Sequence, residues 1–210
     1  MAIRWYFDFI SPFAYLQWPR IEALAARQQV ELRPVLLAAL LDHHGQKGPA
    51  EIPAKRDFTY RHVVWKAARA ERPLRFPPAH PFNPLAALRL CLHAGATPAA
   101  IGAIFEHIWA EGRAADTAEA LAPVAARLGV DAARALEDAE AKATLRRHSV
   151  EAIADGVFGV PTLVHDGRLY WGEDATDMAE AAIAGDPLFD SAGMHAVGAL
   201  PVAARRAPAG

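Results

Sequence analysis

The chain opens on an almost unbroken apolar run. Ile3, Trp5, Tyr6, Phe7, Phe9 and Ile10 are interrupted only by Arg4 and Asp8. That pattern predicts a short buried strand over residues 2–9. The period then changes: Phe13, Leu16, Ile21 and Leu24 recur at helical spacing and predict a helix over 12–28, with Pro19 inside it as an expected kink. Val30 and Leu32 alternate with Glu31 and Arg33, which predicts a second strand over 30–36, parallel to the first. Residues 42–56 carry Gly45, Gly48, Pro49 and Pro53 and read as a loop. Helical periodicity returns over 57–70, where Phe58, His62 and Trp65 share a face. It recurs over 84–94 (Leu85, Leu88, Leu92), from Thr97 through Trp109, over 118–128 and over 131–138. A helix over 140–155 leads to Gly159-Val160-Pro161-Thr162. Two strands follow, 162–165 and 168–171, joined by an Asp166-Gly167 hairpin turn. A last helix spans roughly 175–184, and residues 190–210 lose periodicity and read as a loose tail.

Composition narrows the class. Apolar residues make up 53% of the 210 residues, enough for a substantial core, and the net charge is −2. Nucleic acid and anionic membranes are therefore not expected partners. No apolar run reaches the ~18 residues of a membrane span. The first residues do not resemble a signal or transit peptide. Cys91 is the only cysteine, so no intrachain disulfide is possible, and a cytoplasmic setting is expected. On its helix, between Leu90 and Leu92, Cys91 reads as a small buried hydrophobe.

Candidate chemistry gathers at a few places. Ser11 and Pro12 are a favoured N-cap and first helical residue. They put a hydroxyl and unpaired backbone N–H groups at a positive helix end, which stabilises an anion, including a thiolate. Asp174 caps the last helix. The 42–56 loop gathers His43, His44, Lys47, Lys55 and Arg56, a solvated loop or a cationic lip for a carboxylate. No acidic or thiol ligand accompanies the two histidines at useful spacing, so no metal is expected. Asn83 before Pro84 is a second well-formed helix start.

Strand, turn, helix, strand at one end, and helix, Val-Pro, strand, turn, strand, helix at the other, resemble a thioredoxin fold. Its usual Cys-x-x-Cys is here Ser11-Pro12-Phe13-Ala14. The expected class is α/β, a thioredoxin-like domain over 1–37 and 140–190. An all-helical insertion domain over 38–139 interrupts it, and a tail over 191–210 follows. Phe7-Asp8-Phe9-x-Ser11-Pro12-x-x-Tyr15-Leu16, Gly45-x-Lys47-x-Pro49, Pro53-x-Lys55, Phe158-Gly159-Val160-Pro161-Thr162 and Trp171-Gly172-x-Asp174 occur in this order. The set resembles the 2-hydroxychromene-2-carboxylate isomerases and their relatives, the kappa-class glutathione transferases, over about residues 3–185. The resemblance implies glutathione as cofactor. Ser11 would hydrogen-bond its sulfur and favour the thiolate. Val160, before a cis Pro161, would pair with its backbone as an added strand. Trp171, Gly172, Glu173 and Asp174 would form the γ-glutamyl site, with Asp174 on the ammonium. In the family's reaction the thiolate adds to the chromene carboxylate, the ring opens, a bond rotates and the thiol leaves.

The family holds the substrate carboxylate with a lysine and an Asn-Arg pair. This sequence departs there: His43 or Lys47 stands for the lysine, Lys55-Arg56 for the pair, and His80 and Asn83 complete the expected pocket for a small anionic aromatic substrate. The resemblance also implies a homodimer. Two other functions compete with the isomerase: a kappa-like glutathione transferase or peroxidase, and a redox-inactive thioredoxin-fold binding protein. Dithiol chemistry fails, because Ser11 and Ala14 fill both cysteine positions.

Overall fold

The computed structural model describes residues 2–204. Four strands form one sheet: β1 (Ile3–Phe7), β2 (Val30–Pro34), β3 (Thr162–His165) and β4 (Arg168–Trp171), in the order β2-β1-β3-β4. β1 and β2 are parallel, Trp5 opposite Leu32. β3 is antiparallel to both β1 and β4. The parallel pair needs a crossover, supplied by helix α1 (Pro12–Ala25). α1 is continuous through Pro19, which is exposed and sits on its solvent side.

Between β2 and β3 the chain is helical. It contains α2 (Leu37–His43), α3 (Pro53–Arg69), α4 (Leu85–His93), α5 (Pro98–Phe105), α6 (Ala118–Arg127), α7 (Ala132–Glu137) and α8 (Ala139–Ala154). α5 runs on into a π-helical turn, Glu106–Ala110. This is a thioredoxin-like α/β fold with a helical insertion. α9 (Thr176–Ile183) and α10 (Ala192–Gly198) complete the described chain.

β1 alternates between two cores, as the period of a strand requires. Trp5 and Phe7 stack at 4.3 Å and meet Trp18 of α1 and Phe105 of α5 on one face. Tyr6 points the other way, into a smaller core with Val35, Leu40, Ala152, Val157 and Val164. The larger core runs without a break from the sheet into the inserted helices, and Cys91 is fully buried in it.

Two readings need correcting. The 42–56 segment is not a plain loop. α2 ends at His43, a 3-10 turn covers Pro49–Glu51, and α3 begins at Pro53. Pro53 and Pro49 act as first-turn residues, where the missing N–H costs nothing, rather than as breakers. The tail also holds structure: Ser191 caps α10 by accepting from Met194 N–H, and Met194 packs against the larger core. Residues 205–210, the rest of the expected tail, lie outside the described residues.

Candidate functional site

Three segments meet at one end of the sheet because of how the strands pair. Tyr6 sits opposite Thr162 in an antiparallel ladder, so the chain leaving β1 lies beside the chain entering β3. Thr162 in turn faces Trp171 across β3 and β4. The turn after β4 therefore joins the group, fixed by Gly172 N–H donating to the Pro161 carbonyl at 2.9 Å. Ser11, Val160-Pro161 and Trp171–Asp174 are thus neighbours, although the first and the last lie 163 positions apart.

Ser11 is the N-cap of α1. Its Oγ accepts from Ala14 N–H at 3.2 Å, and the side chain is 6% exposed. The hydroxyl proton has no acceptor among the described residues, so it remains free to donate to a sulfur at the positive end of a fourteen-residue helix. The Val160-Pro161 peptide is cis. β3 begins at Thr162, so Val160 lies just beyond the ladder. Its N–H and C=O have no backbone partner among the described residues. Trp171 is half exposed, and its indole lies across Gly159: a Cβ there would stand 2.7 Å from Trp171 Nε1. Gly172 has φ +98°, and a Cβ on it would meet Asp174 Oδ1. Asp174 is exposed with no ion-pair partner among the described residues, whereas Glu173 pairs with Lys66 of α3 at 2.6 Å.

Beside Ser11 opens a cavity of about 460 Å³. Its walls are chiefly apolar, with Phe13, Leu37, Leu41, Phe82 and Leu85 among them. Ser11, Val160, His80 and Asn83 line it, as do Asp8 and Tyr60. His43, Lys47, Lys55 and Arg56 do not line it, and all four are exposed. Lys55 and Arg56 lie on the first turn of α3, one turn from Tyr60, and Arg56's charge offsets part of the burial that raises the Tyr60 hydroxyl. His43 ends α2, with its ring 4.9 Å from that of His44. Asn83 Oδ1 accepts from Leu85 N–H and helps start α4.

Sequence reasoning gave no role to three residues that the fold places here. Asp8 is fully buried. Its carboxylate accepts from Ile10 N–H at 3.1 Å and Leu37 N–H at 2.8 Å, tying the first turn to α2. Burial nevertheless pushes its pKa up to about 7, against those hydrogen bonds. The signal was an acid inside an apolar run. Tyr60 Oη lies 2.7 Å from His80 Nδ1 and from the His80 carbonyl. His80 Nε2 lies 2.9 Å from the Ile10 carbonyl. A carbonyl only accepts, so Nε2 carries a proton. Burial lowers the His80 pKa, which leaves Nδ1 as an acceptor. Gln17, 1% exposed on α1, accepts from Trp5 Nε1 and donates to Thr176 Oγ1 and the Gly172 carbonyl. Its signal was an amide on a helix face otherwise apolar.

The chain belongs to the family of DsbA-like thioredoxin domains, whose sequence profile matches residues 2–184, and within it to the group of 2-hydroxychromene-2-carboxylate isomerases and kappa-class glutathione transferases. A 2-hydroxychromene-2-carboxylate isomerase of Pseudomonas sp. (strain C18) is 30% identical over 198 residues, covering 90% of this chain and 92% of its own. Glutathione S-transferase kappa 2 of Caenorhabditis elegans is 26% identical over 186 residues, covering 80% and 82%. A solved 2-hydroxychromene-2-carboxylate isomerase superposes with a TM-score of 0.76 at 26% identity, covering 92% of this chain and 99% of that one. No described helix is long and apolar enough to cross a membrane, and no group of three metal-ligating side chains occurs among the described residues.

Proposed function

We propose that this protein is a glutathione-dependent isomerase acting on 2-hydroxychromene-2-carboxylate or a similar intermediate of aromatic degradation. One observation carries the reading. A hydroxyl with a free proton at a helix N-terminus, an unpaired backbone edge at Val160 and a free carboxylate at Asp174 converge beside an apolar cavity. The donor set fits a thiol tripeptide: Ser11 for the sulfur, the Val160 N–H and C=O for its backbone, Asp174 for its ammonium. Glutathione, when bound, supplies the thiolate that adds reversibly to the substrate. Ser11 and the first turn of α1 hold that charge and lower the thiol pKa. The cavity shields the aromatic body from water, and Trp171 walls the groove beside the Val-Pro turn. Lys47, Lys55 and Arg56 act as a cationic lip that draws in the carboxylate, with His43 beside them, while His80 and Asn83 meet the substrate inside.

The test is a turnover assay with 2-hydroxychromene-2-carboxylate, with and without glutathione. Turnover that requires glutathione supports the reading, and none in its presence overturns it. A second reading, a kappa-like transferase for uncharged aromatic electrophiles, is favoured by one feature: none of those lip residues lies on the cavity wall. Conjugation of a neutral electrophile without isomerisation of the carboxylate would select it.

A further inference from the structure

A second cavity, of about 320 Å³, lies against the first and shares Leu36 and Leu85 with it. Its chemistry is different. Arg89 of α4 and Lys142 and Arg146 of α8 line it, together with Ser149 and an apolar floor that includes Ala39 and Leu145. The spacing explains the convergence. Lys142, Leu145, Arg146 and Ser149 fall at i, i+3, i+4 and i+7 on α8, and Leu85 and Arg89 at i and i+4 on α4, so each set forms one helix face.

No acidic side chain lines this cavity. Asp138 pairs with His93 at 2.6 Å, and Glu137, which is not on the wall, pairs with Lys142 at 3.0 Å, so Lys142 is partly neutralised, whereas Arg89 and Arg146 have no ion-pair partner among the described residues. Arg89 is the key group. Its Nε is buried and has no hydrogen-bond partner, and its guanidinium has no ion-pair partner among the described residues. Burying an unpaired guanidinium N–H is costly, and an anion seated between Arg89 and Arg146, beside the already paired Lys142, offsets that cost. Ser149 is already committed, donating to the Leu145 carbonyl and accepting from Leu36 N–H, so the cations do the recognising.

We propose that this cavity is a binding site for a small organic anion with an apolar face, an aromatic carboxylate in class. The cations select the charge, and the apolar floor selects against a bare inorganic ion. The site does not depend on glutathione. Its occupant lies one side-chain layer from the first cavity, across Leu36 and Leu85.

The test is a titration of the ¹⁵N-labelled full chain at constant ionic strength, without glutathione. The probes are benzoate, benzyl alcohol and inorganic phosphate, read by amide shifts. Benzoate should shift the amides of Arg89, Lys142 and Arg146 saturably, and the Arg89→Met/Arg146→Met double variant should weaken that binding at least tenfold. Should the double variant misfold, Arg146→Met alone, at an exposed position, should weaken it about threefold. Benzyl alcohol binding as well as benzoate overturns the role of charge. Phosphate binding as tightly overturns the organic class. No saturable shift, or one the variants leave unchanged, overturns the site.

Discussion

Ser11 has two duties, and they can be separated by measurement. As N-cap it satisfies Ala14 N–H, and Ser11→Ala should cost about 1 kcal/mol of stability through that loss alone. As thiolate donor it acts on the sulfur, so the same variant should lower turnover by roughly tenfold or more while glutathione affinity changes far less, since a hydrogen bond to a charged group is worth about 1.5–3 kcal/mol. Equal losses in both would confine Ser11 to capping. Asp8 gives a pH signature. Its folded-state pKa of about 7 stands above the ordinary 3.8. The folded chain therefore holds the proton more tightly than the unfolded one. The stabilisation is complete below about pH 4 and declines as pH rises toward 7. Melting temperatures should fall over that range at constant ionic strength. Asp8→Asn should flatten this part of the profile; an unchanged slope would remove Asp8 as its cause.

At the scale of elements, the question is what holds the turn after β4 in place. The order of Trp171, Gly172 and Asp174 after the Val-Pro turn is visible in the sequence. The brace behind them was not. Gln17 comes from α1, 155 positions away from Gly172, and its amide reaches both the Gly172 carbonyl and Thr176. Single-sequence periodicity registers a polar residue on an apolar face but does not say what it meets. The same limit explains the inserted segment. Prolines at 49 and 53 read as loop residues, yet each starts a helical turn, and only packing decides between breaker and starter. Both strands flanking Ser11, by contrast, follow from short-range patterning alone. Gln17→Leu should cost about 1–3 kcal/mol, because buried polar partners lose their match. Its diagnostic effect is selective: affinity for glutathione should fall several-fold, and affinity for cysteinylglycine, which lacks the γ-glutamyl group, should not. Parallel losses would make Gln17 a general stabiliser only.

For the molecule as a whole, the sheet brings β1 beside β3 and β4, and the inserted helices close the space above them. Tyr60 and His80 come from the insertion and are tied to Ile10 next to Ser11, so cavity and groove form one unit. A ligand that binds this unit and not the unfolded chain must stabilise everything at once. At a hundredfold excess over its dissociation constant the gain is about 2.7 kcal/mol. For a chain of this length each kcal/mol is worth about 2–4 °C, so glutathione should raise the melting temperature by roughly 5–10 °C. S-methylglutathione separates the anchoring groups from the sulfur. It keeps the contacts assigned to Val160 and Asp174 but cannot form the thiolate assigned to Ser11, so its shift should come close to that of glutathione while it supports no turnover. Asp174→Asn should reduce both shifts together. If millimolar glutathione leaves the melting temperature where it was, the groove beside Val160 does not bind this tripeptide, and both the isomerase and the transferase readings fall with it.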